Sequence, residues 1–164
     1  DPRVLAWDVI NEPEWSVFGL GSWKPAQSVA PKELRAFVRE ATAIFHAEAT
    51  QPVTVGSAST RWLELVQGLG LDFYQPHWYD HFESFAPLAR PVAELDVDRP
   101  VILGEFPTKN TKKALGTILD AVKGAGYGGG FGWAMLSTDT ATDWDAAEPV
   151  YRAWLERNAG IVAP

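Results

Sequence analysis

The 164 residues carry 14 lysines and arginines against 21 aspartates and glutamates, a formal charge of −7. That balance leaves no basic face to neutralise phosphates and argues against a nucleic-acid partner. With no cysteine there is no disulfide framework, thiol nucleophile or thiolate metal site, and no apolar run approaches the ~18 residues that span a bilayer. A hydrophobic content of 46% with 21% charged residues is that of one globular domain over 1–164, without a linker. Localisation stays unknown, because this composition suits secretion and the cytoplasm equally. Eight Trp, four Tyr and eight Phe are enough aromatic surface to line a pocket as well as fill a core.

The first element runs from Trp7 to a stop at Asn11, Glu12 and Pro13. Val9 and Ile10 are β-branched and suit a strand packed on both faces. Pro13 has no N–H for a ladder, so the strand ends there and leaves an amide and a carboxylate on its C-terminal lip. A helix over 31–49 follows, with Pro31 as a first helical residue and Leu34, Phe37, Val38, Ala41, Ile44 and Phe45 recurring at helical spacing. Residues 52–56 read as a second strand, and 60–67 as a helix broken by Gly68 and Gly70.

Residues 71–79 read as a third strand, made irregular by Pro76 and running into His77, Trp78 and Tyr79. A helix over 84–95 is interrupted by Pro87 and Pro91. Residues 100–106 form a fourth strand, with Val101, Ile102 and Leu103 before Gly104 and Glu105. Thr111 then reads as the N-cap of a helix bearing Leu115, Ile118, Leu119 and Val122, stopped by Gly124 and Gly126. A glycine-rich fifth strand covers 128–136, and 148–157 closes as a helix with Val150, Tyr151, Trp154 and Leu155 inward. Strand and helix alternate five times, which means a parallel sheet covered by helices. Polar residues collect after the strands, as on the catalytic face of a barrel. The expected fold is α/β, a partial (β/α) TIM-type barrel of about five βα units.

Two lip glutamates in strong strand contexts, Glu12 and Glu105, suggest glycosidic bond cleavage, in which retention needs two carboxyl groups about 5–5.5 Å apart. Either alone reads as readily as a solvated strand-end acid. His77 and Tyr79 alternate onto one side of an extended stretch. A phenol donating to a nucleophilic carboxylate would orient it and keep it ionised. Trp133 at the fifth lip suits either a sugar-stacking platform or the core. Trp15, Trp23, Trp78 and Trp144 are cleft-wall candidates. His77, Asp80, His81 and Glu83 make a weaker metal set, better read as sugar site plus polar loop. Asp139, Asp143 and Asp145 lack the glycine and terminal glutamate of a calcium loop.

On these motifs the sequence resembles the clan A glycoside hydrolases, above all family 5 enzymes of cellulase and mannanase type, from the fourth barrel strand to the eighth. Asn11 and Glu12 match the Asn-Glu-Pro ending the fourth strand, which implies Glu12 as acid/base and Asn11 at the sugar 2-hydroxyl. His77 and Tyr79 match a His-x-Tyr after the sixth strand. Glu105 matches the nucleophile of the seventh, and Trp133 the aromatic platform after the eighth. The resemblance implies a retaining O-glycoside hydrolase acting on β-linked glucan or mannan, with a carbohydrate substrate and no metal or organic cofactor. The family's Arg and His on earlier strands have no counterpart in these 164 residues, and five strands stand where a closed barrel has eight. An open arc exposes apolar interior and two strand edges, so the expectation is a homo-oligomer that covers them. Two alternatives follow: an inactive or weakly active half-barrel scaffold that binds carbohydrate or self-assembles, and a metallohydrolase using His77, Asp80 and His81.

Overall fold

The computed structural model describes residues 3–136 and 139–160. Five short strands, β1 (Trp7–Asn11), β2 (Val53–Ser57), β3 (Gln75–Pro76), β4 (Leu103–Pro107) and β5 (Gly130–Trp133), alternate with helical segments. The helices are α1 (Pro31–Glu48), α2 (Ala86–Ala89), α3 (Leu115–Gly124) and α4 (Trp144–Arg157). β1, β2 and β3 pair in parallel, and so do β4 and β5. Parallel bridges from Tyr74 to Val101 and from His77 to Glu105 join β3 to β4. The strands therefore follow one another in chain order as one parallel arc. Among the described residues neither β1 nor β5 has a strand on its outer edge, and the barrel is open.

α1 begins as its sequence demands. Pro31 occupies the first helical position, and the Glu33 carboxylate accepts the Ala30 N–H at 2.7 Å, satisfying a donor the helix leaves free. It buries Leu34, Val38 and Thr42 against β1 and β2. The six-residue stripe is too wide, however: Phe37 and Ile44 are 50% and 64% exposed. They sit roughly 90° around the helix from the line through Leu34, Val38 and Phe45, so the sheet reaches only the central line. Val53, Val55, Leu103, Phe106 and Ile118 complete the core at 0–1% exposure, each contributing roughly 1.5–3 kcal/mol by leaving water.

Several expected elements change form. The 60–67 helix is a 3-10 helix over Thr60–Leu65, with the Ser59 hydroxyl accepting the Arg61 N–H. The 84–95 helix becomes α2 plus a 3-10 turn at Val92–Glu94, because Pro87 and Pro91 remove ladder donors. β3 keeps two residues, since Pro76 cannot donate. Thr111 does not cap α3, whose N-cap is Ala114; its hydroxyl instead donates to Asp80 at 2.9 Å. α4 starts earlier than 148, capped by the Asp143 carboxylate accepting the Ala146 N–H, and it carries Pro149 within it. Val150, Tyr151 and Trp154 pack on the core, while Leu155 is largely exposed.

Candidate active site

Both lip carboxylates follow from irregularities in otherwise regular strands. The β1–β2 register slips between Asp8 and Asn11, and the β4–β5 register slips between Leu103 and Phe106. Such bulges re-aim side chains at barrel rims. Glu12 then adopts a left-handed backbone at φ 46°, uncommon for a residue with a side chain. Its N–H still donates to the Gly56 carbonyl at 2.6 Å, so the strand is held to its last residue before Pro13 opens a 3-10 turn. That turn is pinned from below. The buried Glu14 carboxylate accepts the Ala58 N–H at 3.1 Å, and the Glu14 carbonyl accepts the N–H of Val17 and of Gly21.

Glycines clear the inside of the arc. A Cβ on Gly56 would lie 2.6 Å from Asn11 Oδ1 and 3.0 Å from His77 Nε2. One on Gly104 would lie 2.8 Å from Gln75 Oε1 and 3.0 Å from His77 Cδ2. Only glycine lets the His77 ring lie flat across the strands, where its side chain is 1% exposed. Asp8 completes this floor, accepting from the Gly56 N–H at 3.1 Å and from Gln75 Nε2 at 2.8 Å.

On the floor stands a continuous network. His77 Nδ1 lies 2.8 Å from Glu12 Oε1 and 3.5 Å from Glu105 Oε2. A carboxylate only accepts, so Nδ1–H donates to Glu12. The Tyr79 hydroxyl donates to Glu105 Oε2 at 2.9 Å, and the Trp15 indole N–H donates to Glu12 Oε2 at 2.7 Å. Donor atoms of Glu12, His77 and Glu105 all fall within 4.8 Å of one another. These surfaces border a cleft of about 460 Å³ lined by Glu12, Trp15, Ala58, Tyr79, His81, Phe82 and Glu105. Trp15 meets the edges of Trp62 and Phe82 at 5.7 Å and 5.0 Å, forming one aromatic wall.

The two carboxyl groups are electrostatically unequal. The hydrogen bond from His77 holds Glu12 below the usual glutamate range against the opposing effect of burial, with help from Trp15. Burial pushes Glu105 up, only partly countered by His77 and Tyr79. Burial and the charge of Glu105 push the Tyr79 hydroxyl up, so it remains a donor. The surroundings thus favour ionisation of Glu12 and oppose that of Glu105.

Of the residues singled out by sequence, the fold brings Glu12, His77, Tyr79 and Glu105 into one network, with Asn11 beside His77 over Gly56. Trp133 stands at the fifth lip, 40% exposed, with its indole donating to Asp139 at 3.0 Å. Among the tryptophans, Trp15 reaches the cleft. Trp78 is buried against Phe85, Trp23 is 73% exposed with its edge toward Phe18, and Trp144 packs on Tyr151. The proposed metal set does not gather, since Asp80 is engaged by Thr111 and Lys112, and Glu83 by Ser59 and Arg61. Glu12, His77 and Glu105 could present three donors to a cation. His77 is bonded to Glu12, Trp15 to Glu12 and Tyr79 to Glu105.

Sequence reasoning missed Asp8, Gln75 and Glu14. An aspartate inside a strand is disfavoured on propensity, and that was the available signal for Asp8. Glu14 sits two residues from Glu12 in a turn, where a solvated acid is the ordinary expectation.

No protein-family model matches the sequence, and no curated protein is significantly similar to it. Among solved structures, the chain superposes on the crystal structure of endo-1,4-beta-mannanase from Eisenia fetida with a TM-score of 0.70 and 23% identity. The match covers 87% of this chain and 50% of that one. The chain has the fold of part of a TIM-type barrel. A second structure, AoRut, aligns over 90% of this chain and 49% of its own, at 16% identity and a TM-score of 0.44. The chain thus spans about half the length of the structures it matches. At these identities the likeness concerns the fold, and the chemistry rests on the network above.

Proposed function

We propose that the chain carries the catalytic pair of a retaining O-glycoside hydrolase of family 5 type, acting on β-linked mannan or glucan. The observation that supports this best is the spacing of Glu12 and Glu105, whose donor atoms lie within 4.8 Å with His77 between them. Retention uses closely spaced carboxyl groups, and inversion needs ~6.5–9.5 Å to admit a water. Glu12 is the acid/base and Glu105 the nucleophile. Glu105 attacks the anomeric carbon and forms a glycosyl ester, while a proton from Glu12 leaves with the glycosidic oxygen. Glu12 then takes a proton from the water that cleaves the ester. Tyr79 steadies Glu105, Asn11 and His77 contact the sugar, and Trp133 offers a stacking face.

The productive form has Glu12 protonated and Glu105 ionised, while the hydrogen bonds to Glu12 favour its carboxylate and burial disfavours that of Glu105. His77 Nδ1 lies 2.8 Å from one and 3.5 Å from the other.

The test is hydrolysis of soluble β-mannan, then β-glucan. Glu105→Gln should lower turnover on the order of 10³-fold, as loss of a nucleophile does, with the fold unchanged by circular dichroism. A second reading is the carbohydrate-binding scaffold, favoured by surroundings that stabilise the Glu12 carboxylate, the opposite of what a general acid needs. Oligosaccharide binding without turnover above blank would select it.

A further inference from the structure

Each oxygen of Glu12 accepts one hydrogen bond. Oε1 receives His77 and Oε2 receives the indole of Trp15. Trp15 is three residues away on a turn that has its own anchors. Glu14 ties it to Ala58, and the Trp15 N–H donates to the Glu12 carbonyl at 3.3 Å. Nothing larger than glycine fits at Gly21 beneath it, where a Cβ would lie 2.6 Å from Trp15 Cα. Trp62 and Phe82 fix the ring by edge contacts. The indole is a built partner of the carboxylate, yet the side of the ring facing the cleft leaves Trp15 43% exposed.

An indole N–H donates and never accepts. Its bond to Oε2 at 2.7 Å is stronger to the carboxylate than to the neutral acid and fixes where that oxygen points. We propose that Trp15 is a positioning residue that holds the Glu12 carboxylate in place at the cleft and favours its ionised form between turnovers. The catalytic consequence rests on the acid/base reading of Glu12; the control of Glu12 ionisation does not.

The other groups that bear on Glu12 are Asp8 of β1, Glu14 of the turn, and Glu105 of β4. His77, Tyr79 and His81 face it from the segment after β3, with Asp139 beyond Tyr79. Of these, His77 lowers the Glu12 titration, chiefly through its hydrogen bond. Trp15 adds no charge, so its contribution separates cleanly from theirs.

The deciding experiment follows the side-chain carboxyl carbons of Glu12 and Glu105 by NMR against pH, assigned by their loss in Glu12→Gln and Glu105→Gln. Trp15→Phe keeps a ring in the aromatic wall and removes the donor. It should raise the Glu12 midpoint by about one pH unit, the scale of one charge-assisted hydrogen bond, and move the Glu105 midpoint less, through the charge of Glu12 alone. Trp15→His, which retains a ring N–H, should recover part of the shift. An unmoved Glu12 midpoint, or a Glu105 midpoint that moves at least as far, overturns the proposal. Should Trp15→Phe fail to fold, the unsubstituted protein still decides. Its Trp15 indole N–H resonance must titrate with Glu12 and lose that titration in Glu12→Gln, and an indole indifferent to Glu12 overturns the proposal. None of these readings needs turnover, so absent hydrolysis would count against the glycosidase reading alone.

Discussion

At the scale of single residues, Glu14 is the most consequential side chain outside the cleft chemistry. It is fully buried, one oxygen accepts from Ala58 N–H, and the other has no partner. Burial pushes its carboxyl up, so the folded chain holds it neutral at pH values where the unfolded chain ionises it. A group raised in this way stabilises the fold fully below its unfolded value of about 4.3, and the benefit is lost as pH rises through the folded value. Glu14→Gln keeps the acceptor for Ala58 and removes the titration. Its thermal midpoint should exceed that of the parent at pH 7 and match it at pH 3.5. A less stable variant at pH 7 would show that Glu14 is ionised and paired. Glu12 and Glu105 were legible in the sequence because each follows a plain apolar run, and His77 and Tyr79 because they alternate after the irregular third strand. The donor to Glu12 was not, because Trp15 earns no distinction by spacing; only the left-handed turn at Glu12 swings its indole back over the carboxylate.

At the scale of elements, the site depends on strands that make room for one another. Gly56 and Gly104 leave the space His77 and Gln75 occupy. Gly56→Ala should cost roughly 1–3 kcal/mol through overpacking, read in a denaturant titration. It should also abolish activity by displacing Asn11 and His77. A variant with full stability and activity would show the interior to be looser than its contacts. Strand order and helix positions could be read from alternation, Pro31 and the glycine stops, and α1, α3 and all five strands stand near their expected places. The losses share a cause. Where prolines cluster, at 76, 87 and 91, backbone donors disappear and regular elements shrink to bridges and 3-10 turns. Caps also depend on partners distant in sequence, so Thr111 turned to Asp80 while Asp143 started α4 early.

At the scale of the whole molecule, the arc leaves strand edges and apolar surface uncovered among the described residues. Leu5 is 71% and Phe131 51% exposed, and both border a hollow of about 500 Å³ with Pro52, Phe73 and Ile102. Unpaired edges beside apolar surface favour association. We propose that a second copy of the chain covers this face, so light scattering should show a mass that climbs with concentration toward the dimer. Phe131→Glu should return it toward the monomer. A monomeric mass at every concentration would contradict the association. The central claim concerns Glu105 as a nucleophile beside Glu12, and trapping the glycosyl ester tests it most directly. Incubation with a 2-deoxy-2-fluoro-β-mannosyl fluoride, followed by peptide mass spectrometry, should place one sugar on the peptide containing Glu105 and none in Glu105→Gln. Mannan hydrolysis that leaves Glu105 unlabelled and survives Glu105→Gln would contradict the account.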